Sequence, residues 1–254
     1  MARQCLFCDN KAGSREHLWA AWIHERLQIT TPTRIAMGKK PVQKSSNPEI
    51  KVKTVCGTCN NGWMSALEGQ CVPLVGSLVQ DISTPLDDSQ QSLLTAWALK
   101  TAMVTDSTNK TTRNLFYEKS EREKLRANYT IPERTKVWIG RASKSSLAAI
   151  GTDVWIDMPP TPKVARGTVT TIVVGRLVIQ VFSIHVLPDH LQSDAAITAV
   201  QPKPGRWDES LLPVWPIGSR PVTWPPKLTF DTASGGPVSI AALVDRWKIG
   251  KNAS

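Results

Sequence analysis

The sequence predicts an α+β protein: an N-terminal zinc module, followed by a mixed helical and antiparallel β region. Three observations carry this expectation. Two Cys-x-x-Cys pairs, Cys5–Cys8 and Cys56–Cys59, bracket residues 9 to 55. Apolar residues recur at helical spacing through SQQSLLTAWALKTAMV. From residue 135 onward, runs rich in Val, Ile, Thr and aromatics read as strands. The division expected is residues 1–71 for the zinc module and 72–254 for an α+β region of unassigned role.

Taken in order, the elements are these. After the second cysteine pair, residues 72–130 read as mainly helical. Leu93, Leu94, Trp97, Ala98 and Met103 lie on one helical face, with Ser89 as N-cap. A second helix is expected in YEKSEREKLRANY, whose mixed charges suit an exposed face. TKVWIGR and TDVWIDM read as strands. So do TVTTIVVG and RLVIQVFSIHV, joined by a tight hairpin turn at Gly175-Arg176. Residues 202–237 are rich in Pro and Trp and suggest an extended segment over the domain surface. VSIAALVDRWK reads as a closing helix.

Composition bounds the function. A chain of 254 residues with 41% apolar content can bury a core. No run approaches the roughly 18 apolar residues of a membrane helix. MARQCLFCDN lacks the apolar stretch of a signal peptide. The expectation is a cytoplasmic protein without membrane contact, in which paired cysteines hold metal rather than disulfides. The net charge of +10 points to a polyanionic partner, and nucleic acid is the commonest. Residues 1–80 carry ten Lys/Arg against five Asp/Glu. Arg34, Lys39, Lys40, Lys44, Lys51 and Lys53 are accompanied in that interval by a single acid, Glu49. Such a stretch suits a phosphate backbone, or else a solvated hairpin.

Two Cys-x-x-Cys knuckles can aim four thiolates at one ion and close a tetrahedral structural zinc site through Cys5, Cys8, Cys56 and Cys59. Cys71 reads as a small buried apolar residue. Between the knuckles stands Ser14-Arg-Glu-His17, and Asn60 follows Cys59 directly.

This order of an acidic residue beside His, flanked by two Cys-x-x-Cys pairs and then a polar residue, resembles the zinc-containing HNH endonucleases of the His-Me finger group. VCGTCNNGWMSALE resembles a bacterial and phage branch of them, and AWALKTAMV and PERTKVWIGR are similar to phrases of that branch. The specific motifs cover residues 5–68. The resemblance implies a ββα-metal module, a two-stranded hairpin followed by a helix. It implies metal-dependent hydrolysis of DNA phosphodiester bonds, with Mg²⁺ or Mn²⁺. In that scheme His17, ending the first strand, is the general base. Glu16 is a metal ligand beside it, and Asn60 is a ligand from the helix. A neutral histidine suits abstraction of a proton from water, and hard oxygen donors suit Mg²⁺.

The chain departs from the pattern at Lys51, where the family has the Asn that orients its histidine. The nearest amide is Asn47. The alternative reading is therefore a catalytically inactive, zinc-stabilised nucleic-acid-binding module. Each site residue also has a plainer reading. Glu16-His17 could open a helix capped by Ser14, with His24 on the same face. Asn60 could start a helix, with Glu68 two turns on. His185 lies in an apolar strand and His190 in a loop. Trp19, Trp22 and Trp63 are expected to pack the module's core rather than stack on bases.

Overall fold

The computed structural model describes residues 3–27, 33–37, 40–45, 50–108, 115–158, 161–189 and 209–230. Helices and a largely antiparallel sheet share one chain, as an α+β protein requires. The N-terminal part is built on a short antiparallel ladder. Strand β1 (Ser14–His17) pairs with β4 (Lys51–Val55). Ser14 faces Val55, Glu16 faces Val52 and His17 faces Lys51. The step from Ser14 to Glu16 is matched by a longer step on β4, so β4 carries a bulge there. Ser14–His17 is thus strand, not a helix start. Helix α1 (Ala21–Leu27) begins only afterwards and carries His24 on a separate element.

Between the two paired strands, β2 (Thr33–Met37) and β3 (Lys40–Ser45) form a hairpin in which Arg34 faces Lys44. Lys40 lies at the start of β3. Lys39, Asn47, His190 and the segment VSIAALVDRWK lie outside the described residues. β2 also runs parallel to a much later strand, β6 (Thr135–Met158), with Arg34 beside Ala148.

After Cys56 the chain turns helical. A single turn, α2 (Gly57–Cys59), leads into a π-helical turn at Asn60–Met64 and then α3 (Ser65–Val79). Gly62 breaks the helical path with φ −95° and ψ −110°. Helix α3 runs straight through residue 71. A short strand, β5 (Thr84–Leu86), precedes α4 (Asp88–Ser107). The cap of α4 is Asp87, two residues before Ser89. Its carboxylate accepts from Gln90 N at 2.8 Å, while Gln90 Oε1 accepts from Asp87 N. Ser89 instead donates to Asp87 at 2.7 Å. The apolar stripe read from sequence understates α4. Every residue from Leu94 to Ser107 is buried, so the helix is enclosed on all sides. α5 (Lys119–Asn128) follows and closes at Tyr129 in the left-handed conformation, φ 59°.

β6 pairs along nearly its whole length with β7 (Thr161–Val186). The hairpin expected at Gly175-Arg176 is absent, because both halves belong to β7 and both pair with β6. Gly175 instead lies at a register shift, with Arg141 facing Leu177 and Ser146 facing Gly175. Its φ of +61° serves a bend within the strand, a second use of glycine beside turns. A Cβ there would lie 2.9 Å from the Val79 carbonyl oxygen, so the end of α3 packs into the bend.

The described part of the Pro/Trp-rich segment, residues 209–230, is woven into the sheets, not laid over the surface. β8 (Leu211–Trp215) pairs with β6, β9 (Val222–Trp224) with β5, and β10 (Thr229–Phe230) with β6. Trp224 and Phe230 are completely buried. One continuous core joins the four N-terminal cysteines, Trp19, α3, α4 and Trp224. A second cluster, around Trp138, Phe182 and Phe230, fills the other side of the β6–β7 pair. Arg3 donates to the Ser107 carbonyl at 2.7 Å and Arg122 to the Leu6 carbonyl at 2.7 Å, tying the N-terminus to α4 and α5.

Candidate metal centre and the two faces of its ladder

Cys5, Cys8, Cys56 and Cys59 are all buried, and their sulfurs lie within 4.8 Å of one another. Cys8 Sγ stands 3.6 Å from both Cys56 Sγ and Cys59 Sγ. Tetrahedral zinc with Zn–S bonds near 2.3 Å sets its sulfurs about 3.8 Å apart, so the spacing fits that ion. Backbone amides support the thiolates: Cys56 N donates to Cys5 Sγ at 3.2 Å and Cys59 N to Cys56 Sγ at 3.4 Å. Burial works against ionisation of Cys56, yet the Cys59 amide and the neighbouring thiols bring it down to about 6. Burial pushes Cys5 and Cys59 up. Among the described residues, no other His, Cys, Asp or Glu grouping of three or more is close enough to hold a metal. Trp63 meets Phe7 edge-on at 4.9 Å and Trp19 is fully buried, so these indoles pack the module.

Side chains alternate across the β1–β4 ladder, and the two faces differ completely. Inward lie Ser14, Glu16 and Val52. Asn60 Nδ2 donates to Ser14 Oγ at 2.8 Å, which explains why the π-helical turn starts against β1. Two residues on, Glu16 is 5% exposed. Lys100, from the middle of α4, is 1% exposed and donates to Glu16 Oε1 at 3.5 Å and Glu68 Oε1 at 2.7 Å. Burial raises the Glu16 carboxyl to about 6 against the pull of Lys100. Lys100 stays protonated despite its own burial, because two carboxylates flank it. Cys71 borders the same cluster, and burial raises its thiol to about 12. It is the buried, apolar cysteine expected.

Outward lie Arg15, Lys51 and Lys53, all exposed, with half-buried His17 among them. His17 and Glu16 therefore leave the ladder on opposite faces. Of the residues expected to share one ion, Asn60 and Glu16 face the helices and His17 faces solvent. Directly across from His17 stands Lys51, at the position where the resemblance implies an amide.

The sequence reading did not find Lys100. The available signal was one lysine inside AWALKTAMV, a run otherwise apolar or small on every face, where a charge must find a buried partner. His185 is held within the fold, as its place in an apolar strand implies. Its Nε2 lies 2.9 Å from Glu121 Oε1 on α5, and its ring stacks on Phe116 at 4.3 Å.

No protein-family model, curated protein or solved structure matches the chain. Among the described residues, no helix is long and apolar enough to cross a membrane.

Proposed function

We propose that the chain is a nucleic-acid-binding protein whose ββα-type module is fastened by one structural zinc at Cys5, Cys8, Cys56 and Cys59. Its partner is DNA, gripped through the phosphate backbone. One observation carries this reading. The outward residues of strands β1 and β4 are Arg15, His17, Lys51 and Lys53, none of them acidic. Three cations, Arg15, Lys51 and Lys53, on a two-stranded ladder suit a phosphate backbone. Arg34, Lys40 and Lys44 belong to the strands that connect this ladder's two halves. The zinc supplies rigidity. It locks both ends of that connection, so the ladder is held without a large core of its own.

The test is binding of a labelled DNA duplex at low salt, followed by anisotropy. Wild type should bind with an affinity that falls steeply as salt rises. Lys51→Ser with Lys53→Ser should weaken binding and flatten the salt slope. Absence of binding by wild type at low salt would overturn the reading.

Hydrolysis of DNA is the second reading, favoured by the place of His17. It ends β1 on the same face that would meet the phosphates, where an imidazole can take a proton from water. The donors expected for Mg²⁺ or Mn²⁺ do not fit that ion as they stand. Glu16 is engaged by Lys100 and leaves the ladder on the face opposite His17. No step through a catalytic metal is therefore derived.

A further inference from the structure

Residues 3–12 fold into a tight loop that carries the first knuckle. Gln4 bridges Lys11, Ala12 N donates to the Arg3 carbonyl at 2.9 Å, and Cys5 N donates to the Asn10 carbonyl at 2.8 Å. The loop is held to β4, the strand that leads into the second knuckle. Leu6 N donates to the Thr54 carbonyl at 2.8 Å and Gly13 N to the Val55 carbonyl at 3.0 Å. At the tip, the backbone of Asn10 closes on one cysteine pair and its side chain reaches the other. Asn10 Nδ2 donates to Cys56 Sγ at 3.8 Å, across 46 positions of sequence.

Four thiolates around one dication leave a formal excess of about two negative charges. N–H groups aimed at sulfur relieve that excess, and hydrogen bonds to a charged acceptor are the strong ones. Cys56 N donates to Cys5 Sγ at 3.2 Å and Cys59 N to Cys56 Sγ at 3.4 Å, both fixed by the chain path. Asn10 donates through its side chain, so a substitution removes the donor and leaves the chain path alone. It gives Cys56 Sγ a second N–H, from the opposite knuckle. Asn10 is exposed, whereas Cys56 is 4% exposed, so the amide lies on the solvent side of that sulfur.

We propose that Asn10 is a positioning residue of the metal centre: its side-chain amide donates to the Cys56 thiolate, clasps the two knuckles together and slows loss of the ion. This rests on the zinc reading above and deepens it. Release begins when a Zn–S bond breaks and the sulfur takes a proton from water. A thiolate that holds two N–H donors is less basic and gains that proton less readily. Groups that hydrogen-bond a metal's ligands are worth on the order of 10–100-fold in affinity. A contact of 3.8 Å stands at the low end of that range.

The experiment is zinc transfer from the full chain to an excess of a chromophoric chelator, followed by absorbance. Beside it stands the spectrum of the chain reloaded with Co²⁺, which takes the same tetrahedral thiolate set. Asn10→Asp is the decisive variant, because it keeps the shape and exchanges the N–H donor for an anionic oxygen. Asn10→Asp and Asn10→Ala should each release zinc about tenfold faster than wild type. Their sulfur-to-cobalt charge-transfer band should move to longer wavelength, since a sulfur that has lost a donor gives up electron density more readily. Gln4→Ala removes the neighbouring contact of Gln4 Nε2 to Asp9 Oδ1, at 2.7 Å, and should behave like wild type. Asn10→Asp that releases zinc at the wild-type rate with an unmoved band overturns the proposal and leaves the zinc centre standing. Gln4→Ala that releases as fast as Asn10→Ala also overturns it, by making a loosened loop the cause. A wild-type chain that takes up neither zinc nor Co²⁺ overturns the zinc reading and this inference with it.

Discussion

Lys100 Nζ reaches Glu16 Oε1 at 3.5 Å across 84 positions of sequence, inside a helix that has no exposed side from Leu94 onward. The contact fastens β1, the strand that carries His17, to the central helix of the protein. With Glu68 at 2.7 Å the ammonium bridges β1, α3 and α4 at once.

Removing that ammonium should be severe. Lys100→Met leaves two carboxylates facing each other at a buried site, and loss of one partner from a buried pair costs on the order of 3–5 kcal/mol. Denaturant unfolding should show the loss. Adding Glu16→Gln to Lys100→Met should recover part of it, by removing one stranded charge. A single variant as stable as wild type would show that the cluster contributes nothing.

The raised Glu16 carboxyl gives a pH signature. Its folded value of about 6 lies above the reference value of 4.5. The folded state therefore holds this proton more tightly than the unfolded chain. Its contribution is present in full below pH 4.5 and declines as pH rises through about 6. The stability difference between wild type and Glu16→Gln should thus shift in favour of the variant between pH 4.5 and 7, by at most about 2 kcal/mol. A pH-independent difference would contradict the assignment.

Zinc should be present at one ion per chain, measured by elemental analysis of protein purified without chelator. Cys56→Ser should lose the ion and lower the melting temperature, because binding energy at such a site is folding energy. Protein free of zinc with an unchanged melting temperature would remove the structural role.

Cleavage is tested on supercoiled plasmid with Mg²⁺ or Mn²⁺. If His17 acts as a general base, His17→Ala should reduce nicking by on the order of 10²–10⁴ while binding the same DNA and keeping its zinc. Lys51→Asn places an amide across from His17 and should raise any activity that the lysine limits. Equal nicking by wild type and His17→Ala points to a contaminant and leaves binding as the function.

Gly175→Ala should destabilise the fold by on the order of 1–3 kcal/mol, since it combines a positive φ with a contact 2.9 Å from the Val79 oxygen. Thermal unfolding reads this directly.

The cysteine site was legible because ligand spacing is local: each knuckle is written in four consecutive residues, and the buried ring follows. Helix α4 was legible from its apolar period, α5 from its mixed charges and the strands around residues 135–186 from their β-branched and aromatic runs. What failed depended on partners distant in sequence. Gly175 reads as a turn until β6 is known to run past it on both sides. The stretch from Leu211 to Phe230 reads as covering until β9 is seen to pair with β5, and β8 and β10 with β6. Lys100 was hidden because its partners lie 32 and 84 positions away, and no periodic pattern announces a buried charge.

The parallel pairing of Arg34–Met37 with Ala148–Gly151 sets an order of events during synthesis. The two knuckles can close on their ion as soon as residue 59 has left the ribosome. By then the residues of β2 and β3 have been made, but the second edge of β2 waits for a strand more than a hundred residues downstream. At ordinary translation speeds that wait is on the order of ten seconds. Through that interval the nascent chain carries an open, template-like edge.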